Sequence, residues 1–155
     1  MEIKLKPIRQ SSGFCGPASL SSLLDFYGVR MSERQLGDLC RTTTHSGTDP
    51  RVLVQVLKDL GFNAIAKDKG TWNELKKLVT RGTPVLVNWW SDFGKPADGH
   101  YSLVYRVTDS NIFLMDPELG GYRRMGKKRF MDQWYDFFLS GEKNDRWYLH
   151  IEESK

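Results

Sequence analysis

The sequence predicts an α+β fold in which N-terminal helices pack against a mostly antiparallel C-terminal β-sheet. Two observations support this prediction. Apolar residues recur at helical spacing in the first half of the chain, whereas the second half contains short β-branched and aromatic runs separated by turn residues. Because helices and strands do not alternate as βαβ units, the pattern argues against a parallel sheet.

Four helices are expected before residue 83. Each one begins at a recognisable start signal, either a proline in the first turn or a capping box in which Ser or Thr precedes Glu or Gln by three residues. Three of the four run up to a glycine, a common helix stop. The expected helices run from Pro17 to Tyr27, from Ser32 towards Cys40, from Asp49 and Pro50 to Gly61, and from Thr71 through Val79.

Five strands are expected, and they are short and rich in β-branched and aromatic residues. Their ranges are 62–66, 84–90, 100–107, 112–116 and 146–151. The chain has 155 residues and a mass of 17.9 kDa, which suits one hydrophobic core. With no internal repeat or linker in the sequence, residues 1–155 are expected to form a single domain.

Composition excludes several classes of protein. With 39% apolar and 12% aromatic residues, disorder is not expected. No apolar run approaches the roughly 18 residues of a membrane span, and charges interrupt the N-terminus where a signal peptide needs an apolar stretch. The net charge is +4, and the basic cluster 123–129 is interpreted as a solvated face that favours acidic peptides rather than nucleic acid. We expect a cytoplasmic monomer.

The two cysteines have different surroundings. Cys15 lies in GFCGPAS, where flanking glycines permit a tight turn and Pro17 starts a helix. Unpaired N–H groups at a helix N-terminus favour the reactive thiolate and are suited to holding an oxyanion. Cys40 ends a helix beside leucines, where burial as a small apolar residue is the better account. Both thiols are expected to be reduced.

A thiolate needs a base or an ion-pair partner, and the chain has three histidines. His45 lies in a polar loop and His150 in a C-terminal strand. His100 follows a flexible turn and begins a strand, which makes it the best-placed candidate. Asp116 ends the next strand and is the candidate that orients the imidazole ring of His100.

The register of these two strands decides whether the His100 and Asp116 side chains meet. If a tight turn pairs Val107 with Ile112 throughout the hairpin, Asp116 lies opposite Leu103 and on the other face of the sheet from His100. A five-residue loop or a β-bulge instead places Asp116 opposite Ser102, diagonal to His100. We therefore predict the wider loop or the bulge.

At these positions the sequence resembles the papain-like cysteine peptidases that process bacteriocin leader peptides. The resemblance covers most of the chain, and it rests on Gln10 and on the motifs GFCGPASL (13–20), DGHYSLV (98–104) and MDP (115–117). Further similar segments are 47–62, 83–90, Phe130 and Trp134. The resemblance implies a papain-like fold, a peptide or protein substrate, and neither a metal ion nor an organic cofactor.

The resemblance also implies a role for each site residue. Cys15 would be the nucleophile, His100 the general base and acid, Asp116 its orienter and Gln10 the oxyanion-hole donor. Gln10 lies five residues before Cys15, whereas members of the family carry this glutamine six residues before it. Either a tighter turn brings Gln10 to the oxyanion, or the Cys15 backbone N–H acts alone.

Gly99 and Trp90 are assigned to substrate binding, Trp90 because it ends the strand that leads to the His100 loop. A zinc site is not expected, because Cys40 and His45 lack a second ligand pair at suitable spacing. Three functions remain open. The first is an endopeptidase; the second is an acyltransferase, transpeptidase or deamidase with the same triad; the third is a catalytically idle domain that binds peptides.

Overall fold

The computed structural model describes residues 2–45, 47–94 and 96–153. In these ranges the chain forms five helices and eight strands. The helices are α1 (Cys15–Phe26), α2 (Glu33–Cys40), α3 (Pro50–Asp59), α4 (Trp72–Thr80) and α5 (Lys127–Gln133). The strands are β1 (Ala64–Lys67), β2 (Val85–Ser91), β3 (Asp98–Val107), β4 (Asn111–Asp116), β5 (Gly121–Gly126), β6 (Tyr135–Phe137), β7 (Lys143–Asp145) and β8 (Tyr148–Ile151).

Six of the strands form one sheet in the order β1-β8-β2-β3-β4-β5, and every neighbouring pair is antiparallel. Strands β6 and β7 form a separate two-stranded ribbon. Helices α1 and α4 pack against β3, near the middle of the sheet. The predicted α+β class, with N-terminal helices against an antiparallel sheet, is confirmed.

Three of the four predicted helix starts are also confirmed, those of α2, α3 and α4. Ser32 and Thr71 each accept a hydrogen bond from the backbone N–H three residues on, and both capping boxes are complete. Asp49 caps α3 through the N–H of Arg51. Helix α1 begins at Cys15, two residues earlier than the sequence suggested, so the cysteine itself is the first helical residue.

The sheet departs from the prediction mainly at its margins. All five predicted strands are present, although β1 and β8 each start two residues later than expected. Strands β5, β6 and β7 and helix α5 were not predicted. Strand β5 is an edge strand with alternating exposure, and two of its six residues are arginines, so it lacks the apolar run that marks a buried strand. Strands β6 and β7 have three residues each, which is too short for a periodic pattern.

The hairpin between β3 and β4 contains a β-bulge, which is one of the two predicted alternatives. Val107 pairs with Ile112 and Arg106 with Phe113, but on the other side of Tyr105 the register changes, so that Val104 pairs with Leu114 and Leu103 with Met115. The extra residue moves the remainder of β4 by one position relative to β3. Continuing this register places Asp116 opposite Ser102, on the face of the sheet that carries His100.

None of the described helices is long and apolar enough to cross a membrane.

Candidate active site

Cys15 occupies the first position of α1, at a helix end without side-chain capping. The N-cap residue is Phe14, and it makes no side-chain cap hydrogen bond. The first-turn N–H groups of a helix have no acceptor inside the helix, so they remain available to an anion next to the Cys15 thiol. The turn that precedes the helix needs a glycine, because Gly13 has a φ of 79° and a Cβ there would lie 2.9 Å from the Thr44 backbone.

His100 lies on β3 with its imidazole ring buried, 6% of the residue being exposed. Its Nε2 atom is hydrogen-bonded to Oδ1 of Asp116, and the Cys15 thiol lies close enough to the ring to raise the pKa of His100. Because Nε2 is engaged by Asp116, Nδ1 is the nitrogen that remains for Cys15. The structure therefore brings Cys15, His100 and Asp116 together as one connected group.

The charge state of His100 is set by opposing effects. Burial disfavours the charged imidazolium, but the hydrogen bond that the ring donates to Asp116, the interaction with Cys15 and the charges of both groups outweigh it and raise the pKa of His100 from 6.5 to about 10. At neutral pH the ring is therefore a cation beside the sulfur atom.

Asp116 is completely buried, and each of its carboxylate oxygens has a partner. Oδ1 contacts His100 and accepts a hydrogen bond from the Glu118 N–H at 3.1 Å, while Oδ2 accepts one from Arg123 Nε at 2.7 Å. Burial alone would raise the pKa of Asp116, but His100 and then Arg123 lower it below its ordinary value. Asp116 is thus held as an anion that fixes the His100 ring.

Arg123 is a site residue that the sequence analysis missed. The sequence placed it in a basic surface cluster, yet only 12% of its side chain is exposed and its guanidinium lies 3.8 Å from the ring centroid of Phe93. In the β4–β5 hairpin Asp116 pairs with Gly121, so a residue two positions further along β5 shares its face. A sequence analysis that recognised β5 as a strand would have placed Arg123 on the same face as Asp116.

Replacing Arg123 by glutamine should destabilise the fold. The substitution leaves Oδ2 of a buried carboxylate without its charged donor, so the free energy of unfolding should fall by about 1.5–3 kcal/mol at pH 7. Because Asp116 has a lowered pKa, the stability it provides is present above the pKa of the unfolded state, near 3.9, and is lost as the pH falls through the folded-state pKa. The difference between wild type and variant should therefore shrink below about pH 4. Urea titrations across this range measure it.

The control for this experiment is Arg124→Gln, because Arg124 is the exposed neighbour of Arg123 on the same strand. A surface substitution of this kind should change stability by less than about 0.5 kcal/mol. If the two variants lose the same stability, Arg123 does not support the buried carboxylate.

Trp89 holds the His100 ring from the neighbouring strand. The two residues are paired across β2 and β3, and their rings meet edge to face with centroids 5.5 Å apart. Trp89 Nε1 donates a hydrogen bond to Ser102 Oγ at 3.0 Å, so the indole is itself fixed. Trp89 is fully buried, so it is part of the hydrophobic core and also positions His100.

Gln10 reaches the same cleft as Cys15 and His100 through a compact turn. Phe14 N–H donates to Ser11 O at 2.9 Å, and Ser11 is clamped by Glu33 through both its N–H and its hydroxyl. Gln10 N–H donates to Pro117 O at 2.9 Å, which ties this turn to the end of β4. Gln10 Nε2 makes a long contact of 3.4 Å with Ser11 O, and Gln10 Oε1 is buried without a partner among the described residues. The five-residue spacing thus places Gln10 on the cleft wall.

A cleft of about 610 Å³ opens in front of Cys15 and His100. Gly99 lines it, as does His45 from the loop before α3. Trp90 is not among the lining residues; it stacks on Tyr135 and contacts Phe137, which does line the cleft. Cys40 is buried as predicted, burial raises its pKa to about 11, and both cysteines are free thiols.

One group of potential metal ligands lies in the described residues. The group consists of His100, Asp116 and Glu118. Each residue offers one ligand atom, and the three atoms lie within 4.8 Å of one another. The Asp116 oxygens, however, are already paired with His100, with Arg123 and with a backbone N–H. A cation there would have to compete with the Arg123 guanidinium, so the donor set suits an orienting carboxylate better than a metal ligand.

An α+β fold with a cysteine at a helix N-terminus and a buried His–Asp pair is an arrangement found in papain-like peptidases. Residues 5–146 match the model of the Peptidase C39 family, and the chain belongs to this family. The predicted resemblance is thereby confirmed.

Three relatives show the extent of the similarity. An uncharacterized protein of Methanothermobacter marburgensis is 37% identical over 117 residues, covering 75% of this chain and 74% of that protein. The pediocin PA-1 transport/processing ATP-binding protein PedD of Pediococcus acidilactici is 30% identical over 125 residues, which are 77% of this chain and 16% of PedD. The crystal structure of the peptidase domain of Streptococcus ComA, a bifunctional ABC transporter, has a TM-score of 0.74 and 26% identity, with 97% of this chain and 98% of that domain covered.

Proposed function

We propose that this chain is a cysteine endopeptidase in which Cys15 is the nucleophile, His100 the general base and acid, and Asp116 the residue that orients His100. The observation that carries this proposal is the cluster of Cys15, His100 and Asp116, in which the Cys15 thiol influences the His100 ring and the ring is hydrogen-bonded to the buried Asp116 carboxylate. Family membership supports the reaction class, and these contacts support the roles of the residues.

The reaction begins when the Cys15 sulfur attacks the carbonyl carbon of the scissile peptide bond. His100 Nδ1 holds the proton that came from the thiol and delivers it to the leaving amine as the C–N bond breaks. The product of this half-reaction is a thioester between Cys15 and the acyl part of the peptide. His100, now neutral, takes a proton from a water molecule, which attacks the thioester and releases the acid and the thiol.

Two groups support the oxyanion that forms in each half-reaction. The first-turn N–H groups of α1 lie beside the attacking sulfur and carry the positive end of the helix dipole. Gln10 is the proposed side-chain donor, because it lines the same cleft and its backbone is fixed to Pro117. Asp116 keeps the His100 ring in the tautomer and orientation that the transfers require.

The proposed substrates are peptides with a double-glycine leader. The name of PedD assigns that protein to the transport and processing of pediocin PA-1, and the chain corresponds to about one sixth of it. A solved domain with the same fold is described as a double glycine motif protease in complex with its leader peptide; it is 18% identical and therefore shares the fold alone. Transfer of this preference to the present chain is part of the proposal.

Product masses test the reaction class. The chain is incubated with peptides that contain a central Gly-Gly pair, and the products are analysed by mass spectrometry. Hydrolysis splits the peptide, and the two fragments together gain the mass of one water. Transfer to an added amine gives a peptide fragment that carries the amine. Deamidation leaves the peptide uncut and increases its mass by about one unit. If the peptide remains intact and unmodified with the wild-type protein, as it should with Cys15→Ala, the proposal is contradicted.

A further inference from the structure

An acidic side chain lies against the strand that carries His100. The carboxylate of Asp136, on β6, approaches the backbone of Gly99 so closely that a Cβ at Gly99 would lie 2.1 Å from Asp136 Oδ2. Any other residue at position 99 would force this carboxylate away. Asp136 and Gly99 both line the cleft. Gly99 is the residue before His100 on β3, so Asp136 lies close to the proposed catalytic residues. The predicted role of Gly99 in substrate binding therefore has a physical explanation: because Gly99 has no side chain, the Asp136 carboxylate can occupy this part of the cleft.

Two buried amides beside Asp136 have unused hydrogen-bonding atoms. Asn88 is 1% exposed and hydrogen-bonds to Asp136, and its Oδ1 acceptor has no partner among the described residues. Asn144, the cross-strand neighbour of Asp136, is 5% exposed, and its Nδ2 donor is likewise unpaired in the part of the chain that the structure describes. Buried polar groups are normally satisfied, and both amides line the cleft.

Two further acidic side chains lie near this position, beside the His100 imidazolium. The charge of Asp98 raises the pKa of Asp136, and Glu118 lies 3.9 Å from His100 Nε2. The basic cluster 123–129 lies outside the cleft lining and is largely paired, with Arg123 on Asp116, Lys128 on Asp132 and Arg129 on Asp92. Arg41 is the one lysine or arginine among the described residues that line the cleft. The expectation that the cluster favours acidic substrates is therefore not supported by where its side chains lie.

We propose that Asp136, Asn88 and Asn144 form a substrate subsite that binds a cationic nitrogen next to the scissile bond. This inference rests on the proposed peptidase function. A lysine or arginine side chain, or a free α-amino group, supplies a positive charge for the Asp136 carboxylate and an N–H donor for Asn88 Oδ1. A substrate carbonyl oxygen accepts from Asn144 Nδ2, so each unused atom obtains a partner.

The electrostatics of Asp136 agree with a cationic ligand. Burial raises the pKa of Asp136, hydrogen bonds from the Phe137 N–H and from Asn88 oppose this, and the nearby charge of Asp98 raises it further. Among the residues that the structure describes, no lysine or arginine contributes to the pKa shift of this carboxylate. A bound cation supplies a positive charge and removes the cost of holding two carboxylates close together.

Matched peptides test the subsite. Octapeptides with a central Gly-Gly pair and acetylated N-termini carry lysine, norleucine or glutamate at each of three positions on either side of the pair. Norleucine keeps the apolar stem of lysine and removes its charge. At one position near the scissile bond, kcat/KM for the lysine peptide should exceed that for the norleucine peptide by about 10- to 100-fold, the range expected for a hydrogen bond between charged groups. A second set of norleucine peptides has free N-termini. Comparing them with the acetylated norleucine peptides shows whether the site binds an α-amino group or a lysine side chain.

Asp136→Asn is the diagnostic variant, and Asp132→Asn, on the exposed side of α5, is its control. The lysine-to-norleucine ratio should fall to within about threefold of one in Asp136→Asn and stay unchanged in Asp132→Asn. Equal ratios in wild type and Asp136→Asn would overturn the subsite.

Binding measurements separate this inference from the proposed function. In Cys15→Ala protein, which cannot form an acyl-enzyme, the lysine peptide should bind about 10- to 100-fold more tightly than the norleucine peptide, and adding Asp136→Asn should abolish the difference. If the wild type cleaves no peptide while this difference persists, the peptidase proposal fails and the cation site stands. If cleavage occurs without any difference in binding or rate, the cation site fails alone.

Discussion

Replacing Cys15 by alanine should lower kcat/KM for cleavage of a Gly-Gly peptide by at least about 10⁴-fold. The substitution removes the atom that forms the acyl-enzyme, and losses of this size are usual when a catalytic nucleophile is deleted. The fold should be retained, because Cys15 is only partly buried and occupies the first position of α1. Initial rates from chromatographic separation of the fragments, with circular dichroism as a check on folding, measure the effect.

Cys40→Ala is the matched control for this experiment. Cys40 is buried, and its thiol, with a pKa raised to about 11 by burial, is protonated at neutral pH. The control should lose some stability and retain cleavage within a few fold. If Cys15→Ala stayed active, or if the two variants lost activity equally, Cys15 would not be the nucleophile.

Replacing His100 by alanine should lower kcat/KM by about 10³- to 10⁴-fold. The variant loses the group that takes the proton from Cys15 and returns it to the leaving amine, and general acid–base catalysis contributes on the order of 10²- to 10⁴-fold by itself. It also loses the cation that favours the thiolate, so the expected effect lies towards the upper end. Progress curves at pH 7 with a folded variant provide the measurement.

The cleft provides its own control for the loss of a histidine. His45 also lines the cleft but has an exposed position in the loop before α3. His45→Ala should therefore keep kcat/KM within a few fold of wild type. A larger loss of kcat/KM for His45→Ala than for His100→Ala would show that His100 is not the general base.

The pH dependence of cleavage should reflect the raised pKa of His100. The imidazolium is required to protonate the leaving amine, so kcat/KM should remain high through neutral pH and decline as the pH rises through about 10. Asp116→Asn keeps an oxygen that accepts the Nε2 hydrogen bond and removes the negative charge, so this decline should move to lower pH. A decline near pH 6.5 in the wild type would show that Asp116 and Cys15 do not stabilise the imidazolium.

The sequence was sufficient to predict α1 to α4 and strands β1, β2, β3, β4 and β8, because each of these elements carries its own local signal. The capping boxes at Ser32 and Thr71 and the β-branched runs of β2 and β3 depend on neighbouring residues along the chain. A wider loop or a β-bulge in the β3–β4 hairpin was predicted by a different argument, from the requirement that Asp116 and His100 share a face, and the structure has the bulge, at Tyr105. A functional requirement thus predicted a backbone irregularity that local propensity does not encode.

The parts of the site that the sequence did not predict depend on contacts between distant segments. Arg123 looked like one of several surface cations, and only the β4–β5 pairing places it against Asp116. Asp136 lies on a three-residue strand that has no periodic pattern, and it reaches Gly99 because the β6–β7 ribbon packs across the start of β3. Such long-range placements follow from tertiary packing rather than from propensity.

The central claim is that His100 activates Cys15 selectively, and alkylation of the two cysteines tests it most directly. The folded protein is incubated with iodoacetamide at about pH 6, where an unperturbed thiol with a pKa near 8.5 is almost entirely protonated, and the adducts are located by peptide mass spectrometry. Cys15 should be labelled rapidly and Cys40 should remain unmodified, and His100→Ala should slow labelling at Cys15 alone. Equal labelling of the two cysteines, or an unreactive Cys15 in the folded wild-type protein, would contradict the account.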